Sequence, residues 1–163
     1  MTTKFTSEDK LDLDMFAVNI RAQVDAGVTG IILGGTLGEA STLSKEEKRT
    51  LVRAAVQIVD GAVPIVINVA EQTTKNAITA AENAKTDGAS GLMMLPPMRY
   101  MADDLETLTY FRTVANSTEL PIMIYNNPVD YGIEITMDMF EELASCTNIQ
   151  AVKESTRDLS NIT

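Results

Sequence analysis

The chain has 163 residues, 45% of them hydrophobic and 22% charged, and a formal net charge of −10. These values are typical of one globular domain, and the negative charge disfavours nucleic acid and anionic membranes as partners. No apolar stretch is long enough to span a bilayer, and the absence of histidine excludes imidazole general bases and His/Cys zinc sites. The single cysteine, Cys146, permits no intrachain disulfide and is consistent with a reducing cytoplasm.

Short apolar runs alternate with amphipathic stretches along the whole chain. In chain order the predicted elements are helix 13–26, strand 30–35, helix 44–60, strand 64–69, helix 74–87, strand 91–97, helix 103–117, strand 121–125, helix 136–146 and strand 149–153. The strands are nearly continuous in their apolar character, which is typical of strands buried on both faces of a parallel sheet. Ser44 and Glu47 form a capping-box pattern that predicts where the second helix begins.

The spacing of these elements predicts an α/β fold, because the strands recur at about the length of one βαβ unit. Two architectures compete. A five-stranded doubly wound sheet suits the length of the chain, whereas an eight-stranded barrel needs about 250 residues. Length alone favours the doubly wound sheet.

The carboxyl ends of the strands are where ligands bind in parallel α/β folds of either kind. The segments that follow the strands are therefore the candidate site. They are G-G-T-L-G-E-A (34–40), P-P-M-R-Y (96–100), Y-N-N-P-V-D-Y-G (125–132) and K-E-S-T (153–156).

Lys153 and Tyr125 each end an apolar run and each admit two interpretations. Lys153 is either a strand-end lysine that reaches solvent or an amine desolvated by the strands around it. Desolvation disfavours the charged ammonium, and a free amine can attack a ketone to form a Schiff base. Tyr125 is either a packed ring with its hydroxyl at the surface or a proton relay beside that amine.

The glycine-rich turn 34–39 and Arg99 are weaker signals. Glycines let the backbone approach a ligand, and N–H groups with the Thr36 hydroxyl would suit a carboxylate or phosphate, but a tight turn after a strand also needs glycines. Glu39 either anchors this turn or touches a substrate. Arg99 is either a carboxylate clamp or a solvated loop residue.

Three residues with soft side chains are assigned to packing. Met93 and Met94 are predicted to fill the core, and Cys146 is predicted to be a small buried residue late in a helix.

Three motifs together resemble the dihydrodipicolinate synthase / N-acetylneuraminate lyase family of class I aldolases. They are Gly35-Thr36-Leu37-Gly38-Glu39, Tyr125-Asn126-Asn127-Pro128 and Lys153, in the order and spacing of the family pattern. Thr3-Lys4-Phe5 also resembles the T-P-F that closes the family's first strand. The resemblance covers the whole chain, and it implies a (β/α)8 TIM barrel in place of the doubly wound sheet.

The family barrel is nearly twice as long as this chain, so the resemblance implies an incomplete one. Residues 1–163 would form a partial TIM-barrel catalytic domain, from the end of strand 1 to just after strand 6, without strands 7 and 8. Such a piece exposes strand edges and apolar surface. We expect that the 163 residues alone are not a stable monomer, which cooperative unfolding of a monodisperse 17.7 kDa species would contradict.

The resemblance implies a role for each matching residue. Lys153 would form a Schiff base with the C2 carbonyl of pyruvate or a related 2-oxo acid, and Tyr125 would shuttle protons. Thr36 would bind the substrate carboxylate with help from the Leu37 N–H, in the turn that Gly35 begins. No metal or other cofactor is implied, and family members are commonly homo-oligomers, either dimers or tetramers.

Three departures from the family pattern limit the substrate. Leu37 stands where a second hydroxyl residue is frequent, Arg99 stands where the synthase branch has a relay tyrosine, and Asp130 stands where that branch has an arginine. An acid at the last position repels a carboxylate, which argues against the lysine-biosynthetic synthase reaction and suits a hydroxyl or an amine.

The predicted function is therefore a Schiff-base lyase or aldolase acting on 2-oxo acids. One alternative is a dehydratase or deaminase of a hydroxylated 2-oxo acid or pyrroline carboxylate by the same Schiff base. Another is a catalytically silent fragment. A nucleotide-binding doubly wound domain explains neither Lys153 nor the Y-N-N-P motif.

Overall fold

The computed structural model describes residues 1–97 and 100–157. In chain order the elements are α1 (Leu13–Asp25), β1 (Ile31–Leu33), a 3-10 turn (Thr36–Gly38), α2 (Lys45–Val59), β2 (Ile65–Val69), α3 (Thr74–Thr86), β3 (Gly91–Met94), α4 (Asp104–Ala115), β4 (Ile122–Asn126), α5 (Pro128–Tyr131), α6 (Met137–Leu143) and β5 (Ile149–Glu154). All ten predicted helices and strands are present at the predicted places. The helix α5 and the 3-10 turn were not predicted.

The five strands form one sheet in the order β1-β2-β3-β4-β5, and the pairs β1/β2 and β4/β5 are parallel. A doubly wound sheet reverses its strand order at a switch point, whereas a strand order that follows the chain is that of a barrel. The doubly wound sheet favoured by length alone is therefore wrong.

A β-bulge interrupts the pairing of β4 with β5. Ile122 pairs with Ile149, but the next residue, Met123, pairs with Ala151, so Gln150 has no partner on β4. A bulge of this kind places one extra residue in a strand and shifts all the pairs beyond it. Here it sets the register of the carboxyl ends of both strands.

Two helices begin with a capping box. Ser44 accepts a hydrogen bond from the Glu47 N–H at 3.3 Å, and Glu47 accepts from the Ser44 hydroxyl and N–H at 2.7 and 2.8 Å. These bonds from Ser44 lower the pKa of the Glu47 carboxyl. Asp103 and Glu106 repeat the arrangement at the start of α4. The prediction for the second helix is confirmed.

Several boundaries differ from the prediction, and β1 and β3 end two and three residues early, at Leu33 and Met94. Helix α6 ends at Leu143, three residues before the predicted end, and Cys146 donates its N–H to the Leu143 carbonyl from the turn that follows. Cys146 is half-buried and not buried, because a turn residue has no helix face to place against the core. Residues 3–5 form no strand of the sheet in the described chain, and Phe5 instead makes an isolated antiparallel bridge with Leu11.

The chain divides into two compact units, and the first comprises residues 1–68 and 83–92. In this unit α1 packs against α2. An ion pair joins α2 to the residue that follows α3: Arg49 donates to both oxygens of Asp87, at 2.7 and 3.0 Å. The Asp87 side chain is 3% exposed, and the hydrogen bonds from Arg49 lower the pKa of its carboxyl.

The second unit comprises residues 69–82 and 93–163. Here α4 packs against α6 and β4 pairs with β5. Met93 and Met94 are 3% and 0% exposed, which confirms their prediction as core residues. No helix within residues 1–97 and 100–157 is long and apolar enough to cross a membrane.

Candidate active site

Tyr125 and Lys153 are Cα partners on the paired strands β4 and β5. Partner residues on neighbouring strands place their side chains on the same face of a sheet. The Lys153 ammonium accordingly lies over the Tyr125 ring, with Nζ 3.7 Å from the ring centroid. The two residues that the sequence singled out for the chemistry are therefore in direct contact, and an ammonium in this position is attracted to the ring face.

Lys153 is exposed, as are the three residues before it in β5, Gln150, Ala151 and Val152. This exposure agrees with the first of the two interpretations, a strand-end lysine that reaches solvent. The exposure follows from the position of β5, which is last in the order of the described strands and, among them, has a neighbour on one side only. Tyr125 is half-buried, so the ring it offers is the better protected member of the pair.

The Tyr125 hydroxyl has a partner that sequence reasoning missed. The Asn127 side-chain amide donates to Tyr125 Oη at 3.1 Å and to Asp130 Oδ2 at 2.7 Å. Asn127 is 4% exposed, whereas Asp130 is exposed. One buried amide thus links the Tyr125 phenol to the Asp130 carboxylate.

Helix α5 holds this group in place, and its sequence explains why one turn forms here. Asn127 is the N-cap, Pro128 occupies the first helical position, and Gly132 ends the turn with a φ of +74°. Proline at the first position and glycine after the last are the preferred helix ends. Tyr131, the last residue of α5, packs edge-on against Tyr125 with ring centroids 5.8 Å apart.

Asn126, one residue beyond Tyr125, is 1% exposed and joins three segments. Its amide donates to the Ile135 carbonyl and to Glu154 Oε2, both at 3.0 Å, and its oxygen accepts from the Ile135 N–H at 3.0 Å. Glu154 also accepts from the Thr156 N–H at 2.8 Å. These bonds fix the ends of β4 and β5 immediately behind the contact of Tyr125 with Lys153.

The sequence contained a signal for these residues that was not used. Asn126 and Asn127 are amides that directly follow an apolar strand, and Glu154 is an acid that directly follows Lys153. Buried polar side chains are almost always hydrogen-bonded, so polar residues at the end of a buried strand indicate a local network.

The predicted carboxylate-binding turn lies in the first unit. Gly35 is the N-cap of the 3-10 turn and Thr36 begins it. Thr36 is exposed, and Leu37 is 81% exposed. Both residues of this turn thus stand at the surface of their unit.

Gly38 closes this turn in a place that admits no side chain. A Cβ atom there would lie 2.9 Å from the Met1 carbonyl oxygen. The buried Thr3 hydroxyl donates to the Gly38 carbonyl at 2.7 Å. Thr3 is therefore a structural residue that holds the turn, and Glu39, which is exposed with a φ of 58°, ends it.

The remaining candidate features are Arg99, possible metal-binding groups and a groove on the surface. Arg99 lies outside the described residues. Residues 1–97 and 100–157 contain no group of three or more acidic or cysteine side chains arranged to hold a metal ion. An open groove of about 710 Å³ lies along α6 and β5, and neither Tyr125 nor Lys153 lines it.

The sequence matches the profile of the dihydrodipicolinate synthetase family over residues 1–163. It is 35% identical over 160 residues to the 4-hydroxy-tetrahydrodipicolinate synthase of Exiguobacterium sibiricum. The matched region covers 98% of this chain and 55% of that protein. The fold is similar to dihydrodipicolinate synthase from Aquifex aeolicus, with a TM-score of 0.95 and 32% identity over 99% of this chain and 55% of that one.

A further solved relative is YagE, a prophage protein of E. coli K12 from the dihydrodipicolinic acid synthase family, whose structure contains pyruvate. The TM-score is 0.92 and the identity 31%, over 98% of this chain and 54% of YagE. The chain spans about half the length of these relatives. Its five-stranded parallel sheet with helices therefore corresponds to part of a TIM barrel.

Proposed function

Because the chain belongs to the dihydrodipicolinate synthetase family, we propose that it carries the Schiff-base centre of a class I lyase that acts on pyruvate-type 2-oxo acids. The observation that carries the proposal is the contact of Lys153 Nζ with the Tyr125 ring, 3.7 Å from its centroid. That contact joins the predicted nucleophile to the predicted proton relay across one pair of strands. The presence of pyruvate in the YagE structure supports the same substrate class.

The proposed chemistry begins at Lys153. Its free amine adds to C2 of the 2-oxo acid, and the carbonyl electron pair moves to oxygen. Proton transfers turn that oxygen into water, which leaves as the C=N bond forms, so one water is released for each iminium. The iminium then accepts the electron pair of a bond at the neighbouring carbon. When that bond is C3–H, the products are an enamine and a proton.

Tyr125 is the proposed carrier of these protons. Its phenol gives a proton to the departing oxygen, and the resulting phenolate takes one from C3. The contact of the ring with Lys153 keeps the hydroxyl on the same face of the sheet as the amine. Thr36 and the Leu37 N–H are proposed to hold the substrate carboxylate, with Gly35 giving the backbone room to approach it.

Asp130 favours a second candidate reaction. Its carboxylate is anchored 2.7 Å from the Asn127 amide, in the place where the synthase branch has an arginine. A fixed negative charge there repels a second carboxylate and suits a hydroxyl or ammonium group on the substrate. Dehydration or deamination of a hydroxylated 2-oxo acid or pyrroline carboxylate by the same Schiff base is therefore the alternative. Release of ammonia, or loss of water without formation of pyruvate, would identify it.

Borohydride trapping tests the Schiff base directly. The protein is incubated with pyruvate and sodium borohydride, and its peptides are mapped by mass spectrometry. We expect one reduced pyruvate on Lys153, none in Lys153→Arg, and an unchanged adduct in Lys75→Arg, which alters an exposed lysine of α3. An unmodified Lys153 peptide would reject the proposal in favour of a catalytically silent chain. A cytoplasmic homo-oligomer, either a dimer or a tetramer, is the assembly that the family resemblance favours.

A further inference from the structure

We propose that Asn127 is a positioning residue for the Tyr125 phenol, and that it makes the phenol a proton donor toward the substrate. This inference rests on the proposed function, because it assigns a task to the relay that the Schiff base needs. It concerns the position written x in the family's Y-N-x-P pattern, which the pattern leaves open.

The orientation of the Asn127 amide follows from Asp130. A carboxylate can only accept hydrogen bonds and a backbone N–H can only donate. The Asn127 nitrogen faces Asp130 Oδ2 at 2.7 Å, and its oxygen faces the Asp130 N–H at 3.4 Å. Reversing the amide would place oxygen against the carboxylate and NH2 against the N–H. The amide therefore presents an N–H, and not an oxygen, to Tyr125 Oη at 3.1 Å.

The hydrogen bond from the Asn127 N–H to the phenol oxygen determines the direction in which the phenol can donate its own proton. A phenol has one proton to donate, and its oxygen can accept as well. Because the contact with Asn127 uses the oxygen as acceptor, the proton is directed to another acceptor. Had residue 127 presented an oxygen, the phenol would donate into α5 and its proton would be withheld from the substrate.

The same N–H serves the next step. When the phenol gives its proton to the oxygen departing from C2, the phenolate keeps the Asn127 hydrogen bond without any rearrangement. Donors that are already aimed at a developing negative charge stabilise it most effectively in a buried site. Asn127 is 4% exposed and is held from the other side by Asp130. Its N–H is therefore both buried and already aimed at the phenol oxygen.

A reciprocal exchange of residues 127 and 130 separates this role from a structural one. The double variant Asn127→Asp/Asp130→Asn keeps the net charge, a side-chain acceptor at the N-cap of α5, and an amide–carboxylate bond between the two positions. It replaces the donor facing Tyr125 Oη with a carboxylate oxygen. The phenol must then donate to residue 127. A purely structural role would leave function unchanged by this exchange.

Two readouts are compared in the double variant. The first is the borohydride adduct of pyruvate on Lys153, which reports the amine. The second is exchange of the C3 protons of pyruvate with D2O, followed by NMR, which reports the relay. We expect the end-point adduct to persist, although it forms more slowly, while C3 exchange falls by about tenfold or more. The control is Asn116→Asp, at an exposed asparagine after α4, in which both readouts stay at the wild-type level.

The outcomes distinguish the two proposals. Wild-type C3 exchange in a folded double variant that still forms the adduct would overturn the role of Asn127 and leave the Schiff base standing. Absence of the wild-type adduct would overturn both. If the double variant does not fold, Asn127→Ser decides, because serine keeps the N-cap but carries no N–H toward Tyr125. Loss of exchange in Asn127→Ser supports the role, and wild-type exchange overturns it.

Discussion

Asn126 and Glu154 are Cα partners one position beyond Tyr125 and Lys153, and the Asn126 amide donates to Glu154 Oε2 at 3.0 Å. A side-chain hydrogen bond thus reinforces the last paired position of the two strands, where the Ser155 N–H also donates to the Asn126 carbonyl at 2.9 Å. It also brings the loop at Ile135 to the same amide. The buried Asn126 side chain therefore fixes the strand ends next to the contact of Tyr125 with Lys153.

Replacing Asn126 with alanine should destabilise the protein. The change leaves the Ile135 N–H and carbonyl without their side-chain partner in a buried place, and we expect a loss of about 3 kcal/mol in the free energy of unfolding. Urea unfolding followed by circular dichroism measures it. Asn116→Ala, at an exposed site, should change stability by less than about 0.5 kcal/mol. Equal effects of the two substitutions would mean that the Asn126 bonds do not stabilise the fold.

Replacing Tyr125 with phenylalanine should separate the amine from the relay. The ring remains over Lys153 and the amine is unchanged, so the pyruvate adduct still accumulates at the end point of trapping, although it forms more slowly without the phenol proton. The phenol is gone, so we expect exchange of the pyruvate C3 protons to fall by about a hundredfold. Tyr110→Phe is the matched control, because it removes a phenol from α4 and leaves β4 unchanged. Unaltered exchange in Tyr125→Phe would show that another group carries the proton.

Tyr110 should make stability sensitive to alkaline pH. The residue is 3% exposed, and its hydroxyl has no hydrogen-bond partner among the described residues. Burial, with a smaller contribution from Glu71, raises its pKa far above the usual value. The pKa in the unfolded chain is about 10, so the neutral phenol's contribution is complete below that pH and declines above it by up to about 1.4 kcal/mol per pH unit.

Tyr110→Phe removes this dependence. At neutral pH we expect the variant to be more stable than the wild type by about 1 kcal/mol, because a buried unpartnered hydroxyl is lost. Above about pH 10 its advantage should grow. Urea unfolding of both proteins on either side of that pH measures the difference. Parallel stability curves would contradict the assigned burial of the hydroxyl.

Asp87 should contribute stability that acid removes. Its pKa in the folded chain is lowered by the hydrogen bonds from Arg49, whereas the unfolded value is about 3.9. A lowered carboxyl pKa stabilises the fold above the unfolded value, and the contribution is lost as pH falls through the folded value. Asp87→Asn should therefore lower the thermal midpoint at neutral pH, and the gap to the wild type should narrow below about pH 4.

A matched control for Asp87 is Asp25→Asn, at an exposed residue that ends α1. Its midpoint should stay close to that of the wild type at both pH values. A gap between Asp87→Asn and the wild type that is equally wide in acid would exclude the pairing with Arg49 as its origin.

Gly38→Ala should disturb the predicted carboxylate-binding turn. The new Cβ would lie 2.9 Å from the Met1 carbonyl oxygen, so backbone must move. We expect a loss of about 1–3 kcal/mol, the range for overpacking. Gly35→Ala tests the assignment, since a Cβ there meets nothing within 4 Å and its φ is −75°. If both variants unfold at the same denaturant concentration, the close approach at Gly38 is not the cause.

The regular elements were predictable because each has a local cause in the sequence. Apolar runs of strand length fixed the five strands, and the side chains of Ser44 and Glu47 marked a helix start within one residue. The end of α6 was missed because residues 144–146 include no glycine or proline to stop a helix pattern. The one-turn helix α5 was missed because its cap, proline and glycine also fit an ordinary turn.

The sequence singled out two members of the candidate site, Lys153 and Tyr125, and did not indicate the residues that surround them. Lys153 and Tyr125 were predicted because ligands bind at the carboxyl ends of strands in parallel α/β folds, and the structure brings them into contact. Their pairing depends on the bulge at Gln150, which no local pattern predicts. The exposure of Lys153 depends on how many neighbours β5 has, a property of the whole sheet. The Asn127 bond to the phenol depends on an amide orientation that only Asp130 decides.

The bulge at Gln150 changes which side of the sheet the later residues of β5 face. In an unbroken strand Ile149 and Lys153, four residues apart, would lie on one side of the sheet. Ile149 pairs with the buried Ile122, whereas Lys153 pairs with Tyr125, and Ile122 and Tyr125 lie on opposite sides of β4. The extra residue lets Ile149 and Lys153 share one short strand while their side chains face opposite sides of the sheet. Regular pairing of β5 without the bulge would place Ile149 and Lys153 on the same side of the sheet, so that one of them would no longer face its present partner.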